Sequence, residues 1–178
     1  MSAGSVWLIS GTPGAGKTSV ARALCERFPR AMHIPVDDLR GLVVSGRADP
    51  LIPWTAETER QFRISWEAAG RMATRYADEG FVVAIDDVVP ARAVAILERS
   101  VGDRVLRKVL LAPSLEVALQ RNSHGRGKVF DTDVLVPTIR DLHATLVPDR
   151  SPWLVIDSSN MSVTETVDAI LAASSNPA

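Results

Sequence analysis

The chain has 178 residues, of which 46% are hydrophobic and 23% charged, and its formal net charge is −1. This composition is typical of one ordinary globular domain, and it excludes a protein-wide basic field for nucleic-acid binding. The one cysteine, Cys25, excludes an intrachain disulfide and fits a reducing compartment. Because no apolar run reaches membrane-spanning length and the N-terminus lacks a signal-peptide pattern, we expect a single cytoplasmic domain over residues 1–178.

Short apolar runs alternate with longer amphipathic stretches along the chain. This rhythm is typical of an α/β fold in which a mostly parallel sheet is covered by helices on both faces. The predicted strands are Val6–Ser10, Met32–Val36, Phe81–Asp86, Val105–Leu111 and Trp153–Asp157. The predicted helices are Thr18–Phe28, Asp38–Val44, Glu57–Glu79, Ala91–Ser100, Ser114–Arg121, Asp133–Thr145 and Ser162–Ala173.

A glycine-rich segment joins the first predicted strand to the first predicted helix. Glycines let backbone N–H groups surround phosphates, and the positive end of the helix dipole points at the same anion. Lys17 is expected to bind the β- and γ-phosphates, and the Thr18 hydroxyl is expected to bind Mg²⁺. The segment fits the pattern G-x-x-x-x-G-K-[ST] and reads Gly11-Thr12-Pro13-Gly14-Ala15-Gly16-Lys17-Thr18.

Two acidic pairs follow predicted strands, at the sheet edge where such folds bind ligands. In the first pair, Asp37 is the leading candidate to accept a proton from a hydroxyl acceptor, and Asp38 is a second candidate and a possible acceptor contact, although a helix-capping role for both is also open. Arg40, close behind, could bind an anionic or polar part of the acceptor. In the second pair, Asp86 ends an apolar strand, which is the Walker B pattern for holding Mg²⁺. Asp87 is either a cap or a second contact to the acceptor.

A basic, glycine-rich segment follows the helix after the fourth strand. Arg121, Arg126 and Lys128 are candidate cations for the charge on the transferring phosphoryl group, or else basic residues that favour a helix C-terminus. The nucleotide-binding set is therefore Gly11, Thr12, Pro13, Gly14, Ala15, Gly16, Lys17, Thr18, Ser19 and Arg121.

The three histidines receive no functional assignment from the sequence. His33 falls in a predicted strand, His143 in a predicted helix and His124 in a loop, and none has a suggestive partner. No histidine and cysteine spacing indicates a metal site.

With its motifs in this order, the chain resembles the P-loop kinases of small molecules and nucleic acids. These include gluconate and shikimate kinases, chloramphenicol phosphotransferase, zeta-toxin-like kinases and phage-type polynucleotide kinases. The resemblance implies ATP with Mg²⁺ and a five-stranded sheet of order 2-3-1-4-5. It also implies a lid near residues 121–132 and an acceptor-covering segment near 42–65. In such kinases the loop after the last strand, here Asp157-Ser158-Ser159-Asn160, contacts adenine.

Particular segments resemble particular members of that group. Val36-Asp37-Asp38-Leu39-Arg40 is similar to the acceptor motif of polynucleotide kinases and of the chloramphenicol enzyme. This similarity implies a catalytic base at Asp37 and an acceptor contact at Arg40. Arg121-Asn122 and Lys128 resemble the polynucleotide kinase lid, whose second arginine aligns with Gly125 here, one place before Arg126. Ile85-Asp86-Asp87-Val88 also resembles the corresponding strand of the chloramphenicol enzyme.

These observations lead to three readings. The first is a kinase for a small hydroxylated acceptor, with no membrane or protein partner evident. The second is a polynucleotide 5′-kinase, for which four arginines of the long helix could form a positive groove, although they could also be a solvated helix face. The third is a nucleotide-binding module without catalysis, whereas a GTPase is excluded because no Asn/Thr-Lys-x-Asp motif is present. The four arginines are Arg60, Arg63, Arg71 and Arg75.

Overall fold

The structure of the protein is a computed structural model that describes residues 4–48, 50, 53–123, 132–146 and 152–174. Five parallel strands form one sheet in the order β2-β3-β1-β4-β5, which confirms the predicted α/β fold and strand order. The strands are β1 Val6–Gly11, β2 Ala31–Pro35, β3 Val82–Asp87, β4 Leu106–Leu111 and β5 Leu154–Ile156.

Helices cover both faces of the sheet and follow the predicted order. They are α1 Lys17–Cys25, α2 Val36–Gly41, α3 Ala56–Asp78, α4 Ala91–Val101, α5 Leu115–Ser123, α6 Val136–Leu146 and α7 Val163–Ser174, with a 3₁₀ turn at Thr132–Leu135. None of the helices in the described ranges combines the length and apolarity needed to cross a membrane.

Two predicted boundaries near the second strand were wrong. The strand ends at Pro35 and helix α2 starts at Val36, two residues before the predicted start at Asp38. Pro35 occupies the N-cap in an extended conformation, and the acidic pair then lies in the first turn, where carboxylates favour the helix dipole. The helix also ends at Gly41 instead of Val44, since glycine weakens a helix interior.

The predicted helix Asp133–Thr145 is two elements. A 3₁₀ turn precedes α6, and Pro137 is the second residue of that helix. Proline lacks a backbone N–H and is tolerated only in the first turn of an α-helix, so the α-helical segment can begin no earlier than just before it.

The core consists of two apolar layers, one on each face of the sheet. Val83 and Ile85 of β3 pack with α3 and α4, whereas Ala84 of the same strand packs with α1 and α7. Successive side chains of a strand point to opposite faces, and this alternation continues to the end of β3. Asp86 and Asp87 are therefore directed to different layers of the protein.

Helices α3 and α4 approach each other closely at Gly70. A Cβ atom placed on Gly70 would lie 2.4 Å from the Cβ of Ser100, a distance that packed atoms do not adopt. The contact therefore requires glycine at position 70, although glycine is unfavourable inside a helix.

We predict that Gly70→Ala lowers the free energy of unfolding by about 1–3 kcal/mol, because overpacking outweighs the gain in helix propensity. Ser100→Gly removes the atom that collides. The double variant should therefore lose less stability than the sum of the two single variants, as measured by urea unfolding. Additive losses would contradict a direct collision between these two positions.

Candidate active site

The glycine-rich segment forms the turn between β1 and α1. Gly14 and Gly16 have φ angles of 82° and 90°, in the left-handed region that favours glycine. A Cβ on Gly14 would lie 2.1 Å from the carbonyl oxygen of Ala118, so α5 packs directly against the loop. Lys17 begins α1, and its Nζ donates a hydrogen bond to the Thr12 carbonyl at 3.1 Å. The loop thus has the backbone shape that phosphate binding requires.

The Asp86 carboxylate joins three elements at the carboxyl edge of the sheet. The Thr18 hydroxyl on α1 donates a hydrogen bond to Asp86 Oδ2 at 2.9 Å. On the neighbouring strand β2, Nε2 of His33 lies 2.6 Å from Asp86 Oδ1. Thr18 and Asp86, which the sequence assigns separately to Mg²⁺, are thus in direct contact, and each carboxylate oxygen has a partner from a different element.

The expectation that His33 has no suggestive partner was wrong. The register pairs His33 with Ala84, so the imidazole lies diagonally across from Asp86. This pairing can be found only from the strand order and register, which the residue pattern alone does not specify. Nε2 of His143 lies 3.1 Å from the carbonyl oxygen of Pro113, which is a structural contact away from the phosphate loop.

Thr18 and Asp86 fit a magnesium ion that arrives with a nucleotide. Both are hard oxygen ligands, and because the Thr18 hydroxyl donates its hydrogen bond to Asp86, its oxygen lone pairs remain available to a cation. Within the described ranges, no group of three or more histidine, cysteine, aspartate or glutamate residues could hold a metal unaided. Mg²⁺ is commonly bound by one or two protein groups together with substrate phosphates, and the site matches that pattern.

Asp87 lies in a different environment from its neighbour. Its side chain is 5% exposed; Oδ2 accepts a hydrogen bond from the Trp66 indole at 2.6 Å, and Oδ1 accepts one from the Val88 backbone at 2.7 Å. Burial raises the pKa of Asp87 from 3.8 to about 7. The Trp66 hydrogen bond opposes the increase, the charge of Asp37 adds to it, and the charge of Lys17 opposes it.

Asp37 and Arg40 lie on α2, beyond the end of β2. The Asp37 side chain is 83% exposed, and its Oδ1 lies 3.7 Å from Arg40 Nη1. The Arg40 guanidinium is buried, stacks 3.9 Å from the centre of the Phe62 ring, and donates a hydrogen bond to the Ala48 carbonyl at 2.9 Å. Asp38 is exposed. Arg40 therefore holds α2, α3 and the segment between them together, and its contact with an acceptor stays a prediction.

A row of aromatic rings leads inward from this segment. Trp54 lies 4.8 Å from Phe62, and Phe62 lies 5.5 Å from Trp66, between ring centres. Trp54 is partly exposed, and its indole nitrogen donates to Glu59 at 2.8 Å. Arg92 on α4 binds both oxygens of Glu59 at 2.9 Å. The row is thus fixed at the surface by an ion pair, and it ends at the tryptophan that binds the buried aspartate.

The segment between α2 and α3 is held by one glutamine and presents apolar side chains. Gln61 donates to the Gly46 carbonyl at 2.8 Å and accepts from the Ala48 backbone at 2.9 Å. Leu42 and Val44 are 75% and 100% exposed. The described part of the predicted acceptor-covering segment therefore carries exposed apolar side chains.

Arg121 lies at the end of α5, beside the loop after β5. Its Nη2 donates to the carbonyl oxygens of Ser158 at 2.9 Å and Ser159 at 3.4 Å. It therefore contacts the segment that was predicted to bind adenine, and its predicted role at the γ-phosphate stays a prediction. The other two predicted lid cations, Arg126 and Lys128, lie outside the described residues.

The arginines of α3 do not form a uniform basic stripe. Arg60 pairs with Glu57 at 2.9 Å, and Arg75 pairs with Glu79 at 2.6 Å, both on the same helix. Paired charges of this kind offer little attraction to a phosphate backbone. Arg60 and Arg75 therefore add little to the positive groove that the polynucleotide reading needs, whereas Arg63 and Arg71 are exposed.

The sheet order, the phosphate loop and the Thr18–Asp86 pair together define a P-loop kinase fold. Residues 4–174 match the family described as "Chloramphenicol phosphotransferase-like protein", and the chain belongs to that family. No curated protein sequence matches the chain.

Solved structures share the fold at low sequence identity. An APS kinase, CysC, of Mycobacterium tuberculosis in complex with AMPPNP and APS has a TM-score of 0.73 at 17% identity and covers 99% of this chain and 100% of its own. A tunicamycin resistance protein of Deinococcus radiodurans has a TM-score of 0.69 at 21% identity, and the match covers 99% of this chain and 98% of that one. A gluconokinase of Sinorhizobium meliloti 1021 has a TM-score of 0.67 at 20% identity, and the match covers 94% of this chain and 90% of that one.

We predict that Gly14→Ala weakens binding of Mg²⁺ and AMPPNP by about tenfold or more, because alanine is strained at that φ angle and collides with Ala118. Gly41→Ala is the matched control, since open space surrounds that glycine and its φ is not positive. Titration calorimetry on both variants tests the prediction. Equal affinities would show that the loop tolerates a side chain at position 14.

A second prediction concerns the pH dependence of stability. Because the folded-state pKa of Asp87 is raised, the folded protein keeps a proton that the unfolded chain has lost, and the free energy of unfolding falls as pH rises from about 4 to about 7. The contribution is at most about 4 kcal/mol over that range. Asp87→Asn should flatten the slope in urea unfolding at pH 5 and 7.5, whereas Asp103→Asn, an exposed control, should retain it. Equal slopes for Asp87→Asn and the unsubstituted protein would refute the assignment.

Proposed function

We propose that this protein is an ATP-dependent phosphotransferase that moves the γ-phosphoryl group to a hydroxyl of a small-molecule acceptor. The observation that carries the proposal is that the Thr18–Asp86 contact lies beside the start of the helix that carries the exposed Asp37, because Pro35, two residues before Asp37, pairs with Asp86 across neighbouring strands. Strands β2 and β3 are parallel neighbours, so the phosphate-binding groups and Asp37 are at the same carboxyl edge of the sheet. Membership of the chloramphenicol phosphotransferase-like family supports the same reaction class.

Each group has a role in the proposed reaction. The phosphate loop and Lys17 bind the β- and γ-phosphates, and Thr18 with Asp86 would hold Mg²⁺, which neutralises phosphate charge when bound. The exposed Asp37 carboxylate orients the acceptor hydroxyl and takes its proton as the new P–O bond forms, while the bond from the γ-phosphorus to the β–γ bridging oxygen breaks and ADP leaves. Arg40 steadies the helix that carries Asp37, through its contacts with Phe62 and Ala48.

The exposed side chains near Asp37 favour an acceptor that has an apolar part. The exposed Leu42 and Val44, together with the partly exposed Trp54, give this side apolar and aromatic surface. A fully polar acceptor would leave that surface in contact with water, whereas an amphipathic hydroxylated compound would cover it.

The test is transfer of labelled γ-phosphate from ATP in the presence of Mg²⁺. The acceptors are chloramphenicol and tunicamycin as amphipathic compounds, gluconate and shikimate as polar ones, and a 5′-hydroxyl oligonucleotide. We expect label on an amphipathic small molecule. Label on the oligonucleotide alone would favour the polynucleotide kinase reading, and tight ATP binding without transfer to any acceptor would favour a non-catalytic module.

We predict that Asp37→Asn lowers the transfer rate by about 10²- to 10⁴-fold, because the amide cannot accept the proton, with AMPPNP affinity changed less than about twofold. Asp103→Asn removes an exposed carboxylate beside the opposite edge of the sheet, just before β4, and should leave the rate unchanged. Full activity of Asp37→Asn would reduce this residue to a helix-capping role.

A further inference from the structure

His33 is a side chain of the site to which the proposed reaction assigns no role. It lies on β2, its side chain is 16% exposed, and its Nε2 is 2.6 Å from Asp86 Oδ1. The register places Pro35 beside Asp86 and His33 two residues earlier, so the imidazole reaches the carboxylate from the adjacent strand. The same carboxylate receives the Thr18 hydroxyl on its other oxygen.

The donor in this contact follows from the chemistry of the pair. An ionised carboxylate has only acceptors, so Nε2 of His33 carries the hydrogen. Asp86 then accepts one hydrogen bond on each oxygen, from β2 on one side and from α1 on the other. Two donors on separate elements restrain the carboxylate against rotation, and neither element could do so alone.

We propose that His33 is a positioning residue for Asp86. It holds the carboxylate so that Oδ2 stays on the Thr18 hydroxyl, which keeps the two groups that would hold Mg²⁺ in fixed relative places. Hydrogen-bond partners of metal-binding groups typically account for about 10- to 100-fold in metal affinity. This inference rests on the proposed nucleotide site, and it assigns His33 an effect on the magnesium-dependent part of nucleotide binding.

The test is the dissociation constant of AMPPNP, measured by titration calorimetry at one pH, with Mg²⁺ and with EDTA. His33→Leu should weaken AMPPNP binding about 10- to 100-fold with Mg²⁺ and leave it unchanged in EDTA. His33→Gln should restore most of the affinity, because its amide nitrogen stands where Nε2 stood. His33→Asn should not, since its amide is one bond too short to reach Asp86. If His33→Leu fails to fold, the comparison of these two polar variants decides the question.

A double-mutant cycle separates this role from a general effect on the sheet. In an Asp86→Ala background the imidazole has no carboxylate to hold, so adding His33→Leu should cost no further Mg²⁺-dependent affinity. Additive losses would overturn the proposal.

The remaining outcomes separate this inference from the proposed function. Absence of AMPPNP binding by the unsubstituted protein would overturn the proposed function and this inference together. If all three His33 variants bind AMPPNP with the same magnesium dependence as the unsubstituted protein, this inference alone is overturned.

Discussion

The Thr18 hydroxyl donates a hydrogen bond to Asp86, and the geometry of the site depends on this contact. It joins the first turn of α1 to the end of β3 and so fixes the phosphate loop against the sheet. The central position of β1, between β3 and β4, makes this possible, because the loop leaves the sheet directly beside the strand that carries the aspartate. The added contact from His33 extends the same junction to β2.

The alternation of side chains along β3 gives two neighbouring carboxylates different chemistry. Asp86 is directed to the layer that contains α1, where it meets a hydroxyl and an imidazole. Asp87 is directed to the opposite layer, where Trp66 encloses it and burial raises its pKa to about 7. One dipeptide therefore supplies a group suited to hold a cation and a group that costs stability when it is charged.

The acceptor side is assembled from contacts between segments that are distant in the chain. Arg40 connects α2 to Phe62 of α3 and to the backbone at Ala48, although a buried guanidinium is expensive to desolvate. Gln61 holds the same segment from α3. The position of Asp37 is thus determined by this set of contacts, which makes the acceptor side a property of packing more than of any local motif.

By itself, the sequence determined the α/β class, the strand order implied by its resemblance, the phosphate loop at Gly11–Thr18 and the partnership of that loop with Asp86. The strand order followed from the resemblance alone, whereas the other three depend on local glycine conformation, hydrophobic periodicity and the rule that ligands gather at the carboxyl ends of parallel strands. Only the tertiary structure decided that His33 reaches Asp86 and that Trp66 encloses Asp87. Those pairs are 53 and 21 residues apart. Their contact depends on strand register and on how α3 packs against the sheet, which no local pattern of residues specifies.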